Sequence, residues 1–153
     1  MSLSSEVIAR LAGKTLVTAE SLTGGGIGAA LTAVSGSSAV YKGGIISYTN
    51  EVKHQLLGVP GDTLEQFGAV SEPVARAMAE GVRKQLEADV AVSVTGLAGP
   101  GGDDYGNPVG TVYIGYDDGT NATVCHHCFQ GSREEIRNQT IEEALKLILA
   151  NCG

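Results

Sequence analysis

With 153 residues, 42% of them hydrophobic, the chain has the size of one domain with its own core, and its 22 glycines, about 14% against a typical ~7%, require turns and close backbone approach. Its 17 acidic and 10 basic residues leave a net charge of -7, which excludes the basic stripe of a nucleic-acid binder; no apolar run nears the ~18 residues of a membrane span, and Met1-Ser-Leu-Ser-Ser-Glu6 opens no signal peptide. Three cysteines, an odd number, argue against a disulfide framework and for a reducing cytoplasm.

Ser4 to Leu11 reads as a short helix ending at Gly13, and Lys14 to Ala19 as a first strand. Glu20 to Gly26 forms a turn into an apolar helix over Ile27 to Val34, broken by Ser35-Gly-Ser-Ser38. Gly43 to Tyr48 is a second strand, and Asn50 is the expected N-cap of a helix that Gly58 closes. A helical turn near Asp62 to Phe67 precedes a long helix opened by Ser71-Glu-Pro73, with Val74, Met78, Val82 and Leu86 stepping by four. Asp89 to Thr95 is a third strand. Gly96 to Gly110 is a glycine-rich loop, longer than compact domains usually carry without a function. Thr111 to Tyr116 and Ala122 to Phe129 form a hairpin, and Ser132-Arg-Glu-Glu135 has the spacing of a capping box for a last amphipathic helix. There is no repeat, linker or second domain, so residues 1–153 read as a single α/β sandwich with a mixed sheet.

Three unusual segments each follow a strand: Ala19 to Gly26, Tyr48 to Lys53, and Thr95 to Gly102. If the strands are parallel, all three lie at their carboxyl ends, where open α/β sheets bind ligands. In the first, Ser21 sits on a tight turn, and Thr23, Gly24 and Gly25 would offer backbone N–H groups to an anion or oxyanion. The competing reading is a plain N-cap. In the second, Lys53 falls near a helix start, where dipole and burial favour a neutral amine able to deprotonate a serine; the competing reading is a solvated lysine. The third, with Thr95, Gly96, Gly99, Gly101 and Gly102, resembles a backbone cradle for phosphate, or serves only as a structural loop. It lacks the Gly-Lys-Ser/Thr of a Walker loop. Arg133 and Arg137, one helical turn apart, suit a phosphate or ordinary ion pairs. Cys125-His-His-Cys128 has a C-x-x-C spacing without a second ligand pair, and strand alternation divides it between two faces. Asp103 and Asp104 could hold a divalent ion or simply be solvated. No metal site is expected.

The blocks AESLTGG, GGIISYTNEVK, GAVSEPVARAMAEG, VTGLAGPGG and NPVGTVYI, in this order, resemble the CinA C-terminal domain family over about Leu16 to Leu149. The resemblance implies a three-layer α/β/α sandwich with a mostly parallel sheet. It also implies hydrolysis of the amide of nicotinamide mononucleotide (NMN) to nicotinate mononucleotide and ammonia, without cofactor, in a cytoplasmic homodimer. Ser21 is then the nucleophile, Lys53 its base, and Tyr48 the residue that orients the pair or relays the proton. Read from the residues themselves, backbone N–H groups of Thr23, Gly24 and Gly25 could hold the oxyanion, and the Thr95 to Gly102 loop with Arg133 or Arg137 could hold the ribose phosphate. Leu22 replaces a common cysteine, with no expected effect on the chemistry. Asn107 replaces a common lysine, which is expected to weaken an anion contact or to alter specificity. The N-terminal molybdopterin-binding-like domain of longer relatives is not in this sequence, and its activity is expected to be absent. Two rival functions are a non-catalytic nucleotide-binding domain and an amidase for another small amide.

Overall fold

A computed structural model of the chain describes residues 1–152. Five strands form one sheet in the order β2-β1-β3-β4-β5, where β1 is Leu16–Glu20, β2 Tyr41–Ile46, β3 Val90–Gly96, β4 Thr111–Asp117 and β5 Ala122–Cys128. β1 pairs in parallel with β2 and β3, while β4 runs antiparallel to β3 and β5 antiparallel to β4. Four of the five strands therefore point the same way.

Alternation along the strands builds two separate cores. Leu16, Val90, Val92, Val94, Val112, Ile114 and Tyr116 project to one face, against α1 (Leu3–Arg10), α2 (Gly26–Thr32) and α6 (Arg133–Asn151). Val17, Ala19 and Ala91 project to the other, against α3 (Asn50–Leu57), α4 (Gly61–Phe67) and α5 (Glu72–Gln85). Helices on both faces make three layers, and β1 is buried along its whole length.

The parity of β1 also decides what its last residue and the next one do. Glu20 falls on the α2 side and Ser21 continues on the α3 side.

Several expected boundaries move. β2 begins at Tyr41, which pairs with Leu16, and the two glycines lie inside it; Gly44 pairs with Thr18 so closely that a Cβ would overlap its side chain. It ends at Ile46, which leaves Tyr48 in a short linker. Thr49, not Asn50, caps α3, with Oγ1 accepting from Val52 N at 3.3 Å. Ser71 precedes α5 without capping it, since its hydroxyl donates to the Gly68 carbonyl at 2.8 Å. A short 3-10 turn, Ser37–Ala39, occupies the Ser-Gly break. The capping box at Ser132 and Glu135 is present as expected.

Candidate active site

The turn after β1 is organised by Glu20, which the sequence reading passed over. Its carboxylate is buried and accepts from Ile27 N at 2.8 Å, Gly28 N at 3.0 Å, the Thr23 hydroxyl at 2.7 Å and the Thr18 hydroxyl at 3.3 Å. An acid aimed at a helix start satisfies the amides that nothing within the helix can reach. The amides of Ile27 and Gly28 thus serve the chain's own carboxylate, whereas the N–H groups of Thr23 and Gly25, expected to face an anion, have no internal acceptor among the described residues. Thr23 is fully buried in the same network. Gly24 and Gly25 have φ of +59° and +101°, a backbone that glycine alone adopts readily, and Gly24 N donates to Ser21 O at 3.1 Å. The Thr23 hydroxyl and the Gly24 and Gly25 backbone thus shape the turn.

Arg137 holds that turn from outside. Its Nε donates to Leu22 O at 2.9 Å and its Nη2 to Thr23 O at 3.1 Å. It does not line the cavity described below, so the expectation of Arg137 as a phosphate ligand is replaced by a clamp on the serine turn.

Ser21 and Lys53 meet across the strand ends. Lys53 Nζ lies 3.0 Å from Ser21 Oγ, 2.6 Å from Ser47 O and 3.3 Å from Tyr48 O. Both side chains are buried, Lys53 to 1% exposure. The amine faces neutral oxygens and forms no salt bridge among the described residues. Burial lowers its pKa from 10.5 to about 8.

Tyr48 contributes differently from expectation. Its carbonyl accepts from Lys53, while its hydroxyl accepts from Arg133 Nη2 at 3.1 Å and its side chain is exposed. The structure gives the phenol no hydrogen bond to Ser21 or Lys53. Arg133 Nη1 also donates to Gly99 O at 2.6 Å, fastening the long loop to α6.

A cavity of about 480 Å³ opens over Ser21 and Lys53, a size that suits a small molecule. Thr95, Gly96, Gly99, Gly101 and Gly102 line it together with Tyr48 and Arg133, so the loop and strand-end residues picked from sequence converge there. A larger groove of about 760 Å³ between α3 and α5 holds no nucleophile paired with a base, so the smaller cavity is the chemical candidate. Asn107 lies outside the cavity lining. Its side chain donates to Val70 O at 3.2 Å and to the Asp103 carboxylate at 2.8 Å, so its role is to shape the loop.

Asp103 is committed to the loop as well, accepting from Asn107 N and Tyr105 N at 3.0 and 3.1 Å. Slight burial pushes its pKa up, but these hydrogen bonds outweigh that and leave it below the usual carboxylate value. Cys125 and Cys128 pair with Ile114 and Thr111 on opposite faces of β5, and His126 stacks on Tyr113 at 4.6 Å. Among the described residues no three His, Cys, Asp or Glu side chains cluster as metal ligands, and no helix is long and apolar enough to cross a membrane.

Known proteins share this chain's sequence and shape. Residues 1–152 match the model of the CinA C-terminal domain. A CinA-like protein of Parasynechococcus marenigrum is 51% identical over 148 residues, covering 94% of this chain and 35% of the relative. One from a Sulfurihydrogenibium species is 50% identical, over 88% of this chain and 34% of the relative. The chain thus spans about a third of the length of these relatives. Among solved structures, competence/damage inducible protein CihA of Agrobacterium tumefaciens superposes with a TM-score of 0.94 at 41% identity, covering 97% of this chain and 92% of that one. Competence damage-inducible protein A of Klebsiella pneumoniae gives 0.95 at 34% identity, over 97% and 94%. The chain belongs to the CinA C-terminal domain family.

Proposed function

We propose that the chain is an amidohydrolase that converts NMN to nicotinate mononucleotide and ammonia through a serine nucleophile. The observation that carries this reading is the buried, carboxylate-free amine of Lys53, 3.0 Å from Ser21 Oγ on the floor of a cavity. A lysine without a counter-charge is poised to become neutral, and a neutral amine takes a proton from a serine hydroxyl.

Ser21 Oγ forms a bond to the amide carbon while its proton passes to Lys53 Nζ. The N–H groups of Leu22 and Thr23, which have no internal acceptor among the described residues, are the nearby donors for the developing oxyanion. The C–N bond then breaks as Lys53 returns the proton to the leaving nitrogen, and ammonia departs. Water, deprotonated by Lys53, attacks the acyl carbon; the bond from that carbon to Ser21 Oγ breaks, Lys53 returns the proton to Oγ, and the acid departs. Among the described residues Arg133 has only neutral partners, Gly99 O and the Tyr48 hydroxyl, which leaves its charge for the phosphate.

Ammonia release measured with NMN, nicotinamide, NAD and glutamine tests this reading. NMN should be the preferred substrate, and Lys53→Ala should abolish turnover at neutral pH. Release from glutamine alone would reassign the substrate. No release from any of them would leave a ligand-binding domain, and a fully active Lys53→Ala would sink the mechanism.

A further inference from the structure

The loop between β3 and β4 carries an aromatic side chain that the scheme above does not use. Tyr105 lines the cavity and is 50% exposed. It is nonetheless anchored. Its hydroxyl donates to Glu65 O at 2.7 Å, and its backbone N–H donates to the Asp103 carboxylate, which also binds Asn107. The ring lies against Gly68, where a Cβ would come within 2.6 to 2.9 Å of three ring carbons. Gly68 has φ +78°, so conformation and space both select glycine under the ring. An aromatic side chain fixed in this way loses little freedom when a ligand covers its open side.

We propose that Tyr105 is a specificity-determining residue whose open side receives a planar, positively charged pyridinium ring of the substrate. The inference rests on the amidohydrolase reading above and names the chemical feature by which that site chooses its amide. An N-substituted pyridine carries a positive charge, and a tyrosine face carries a negative quadrupole that attracts it. Asp104 lines the same cavity, and its negative charge adds to the attraction. A neutral pyridine gains only the stacking, and an aliphatic amide gains neither.

The test compares wild type with Tyr105→Leu and Tyr105→Phe. It uses steady-state kinetics on NMN and nicotinamide, and calorimetric binding of nicotinate mononucleotide, which retains the pyridinium. Tyr105→Leu should raise KM for NMN and Kd for nicotinate mononucleotide about tenfold, with kcat within about twofold. KM for nicotinamide should move by less than about threefold. Tyr105→Phe keeps the ring and should stay within about threefold of wild type on every measure. Unchanged KM and Kd in Tyr105→Leu would overturn the proposal. So would equal losses in the Leu and Phe variants, which would assign the effect to the hydroxyl tether, or equal losses on NMN and nicotinamide. A wild type that fails to bind nicotinate mononucleotide overturns it too. A wild type whose binding depends on Tyr105 but which releases no ammonia leaves the ring site standing and overturns the amidohydrolase reading alone.

Discussion

Lys53 is surrounded by three oxygens that carry no formal charge, and burial lowers its pKa from 10.5 to about 8. Two consequences follow from the same number. First, the amine is mostly protonated at pH 7 and mostly neutral at pH 9. The kcat/KM for NMN should therefore rise with pH through an apparent pKa of about 8 and level off near pH 9. A flat profile between pH 6 and 9 would show that Lys53 is not the base. Second, below pH 8 the folded and unfolded states both carry the proton, and the folded state bears a penalty of about 3 kcal/mol for the buried charge. Between about 8 and 10.5 the folded state binds fewer protons than the unfolded one, so stability rises with pH across that window. Replacing Lys53 with Met removes the penalty but strands the Ser47 carbonyl, at a cost of about 1–3 kcal/mol. Lys53→Met should thus be inactive, yet as stable as wild type or more so at pH 7. That advantage should disappear by pH 10 in thermal melts. A stability difference that does not change with pH would contradict the titration argued here.

At the scale of elements, the serine turn is held between two charged side chains that the sequence reading did not place there. Glu20 caps α2 from the strand side, and Arg137 of α6 clamps the Leu22 and Thr23 carbonyls. Glu20 was legible in principle. Position 20 continues the buried face that carries Leu16 toward α1, α2 and α6, and a buried acid before a glycine-rich helix start is a capping signature. Arg137 was not, because two arginines one turn apart look equivalent until tertiary packing sends Arg133 to the cavity and Arg137 to the turn. The Glu20→Gln variant presents an NH2 where Glu20 accepts from a backbone amide. It should lose about 2 kcal/mol of stability and at least tenfold in kcat, through displacement of Ser21 rather than any contact with substrate. KM should change little. A variant with wild-type melting and wild-type kcat would show that the turn holds without its cap.

At the scale of the molecule, the layering and the location of the site were legible because they follow from two local signals. Strand alternation fixed the faces, and the three odd segments after strands fixed the end of the sheet at which they gather. The pairing of Ser21 with Lys53, 32 residues apart, came from the family resemblance and not from a local signal, because it depends on how tertiary packing sets α3 beside the end of β1. The partners of Tyr48 were not legible because the end of β2 decides whether its side chain or its carbonyl meets Lys53, and strand ends are set by neighbours rather than by propensity. The net charge of -7 acts on this same scale. NMN carries a net charge of roughly -1 at neutral pH, since its phosphate outweighs its pyridinium. The whole-molecule field repels it, whereas Arg133 attracts it over a short distance. Salt separates the two effects: raising ionic strength from about 0.01 to 0.15 M shortens the screening length from ~30 to ~8 Å, which removes most of the distant repulsion and spares the contact. KM for NMN should therefore fall about two- to threefold over that range, and KM for neutral nicotinamide should stay constant. A KM for NMN that climbs with salt would mean that the local positive charge, and not the acidic surface, dominates the field the substrate meets on approach.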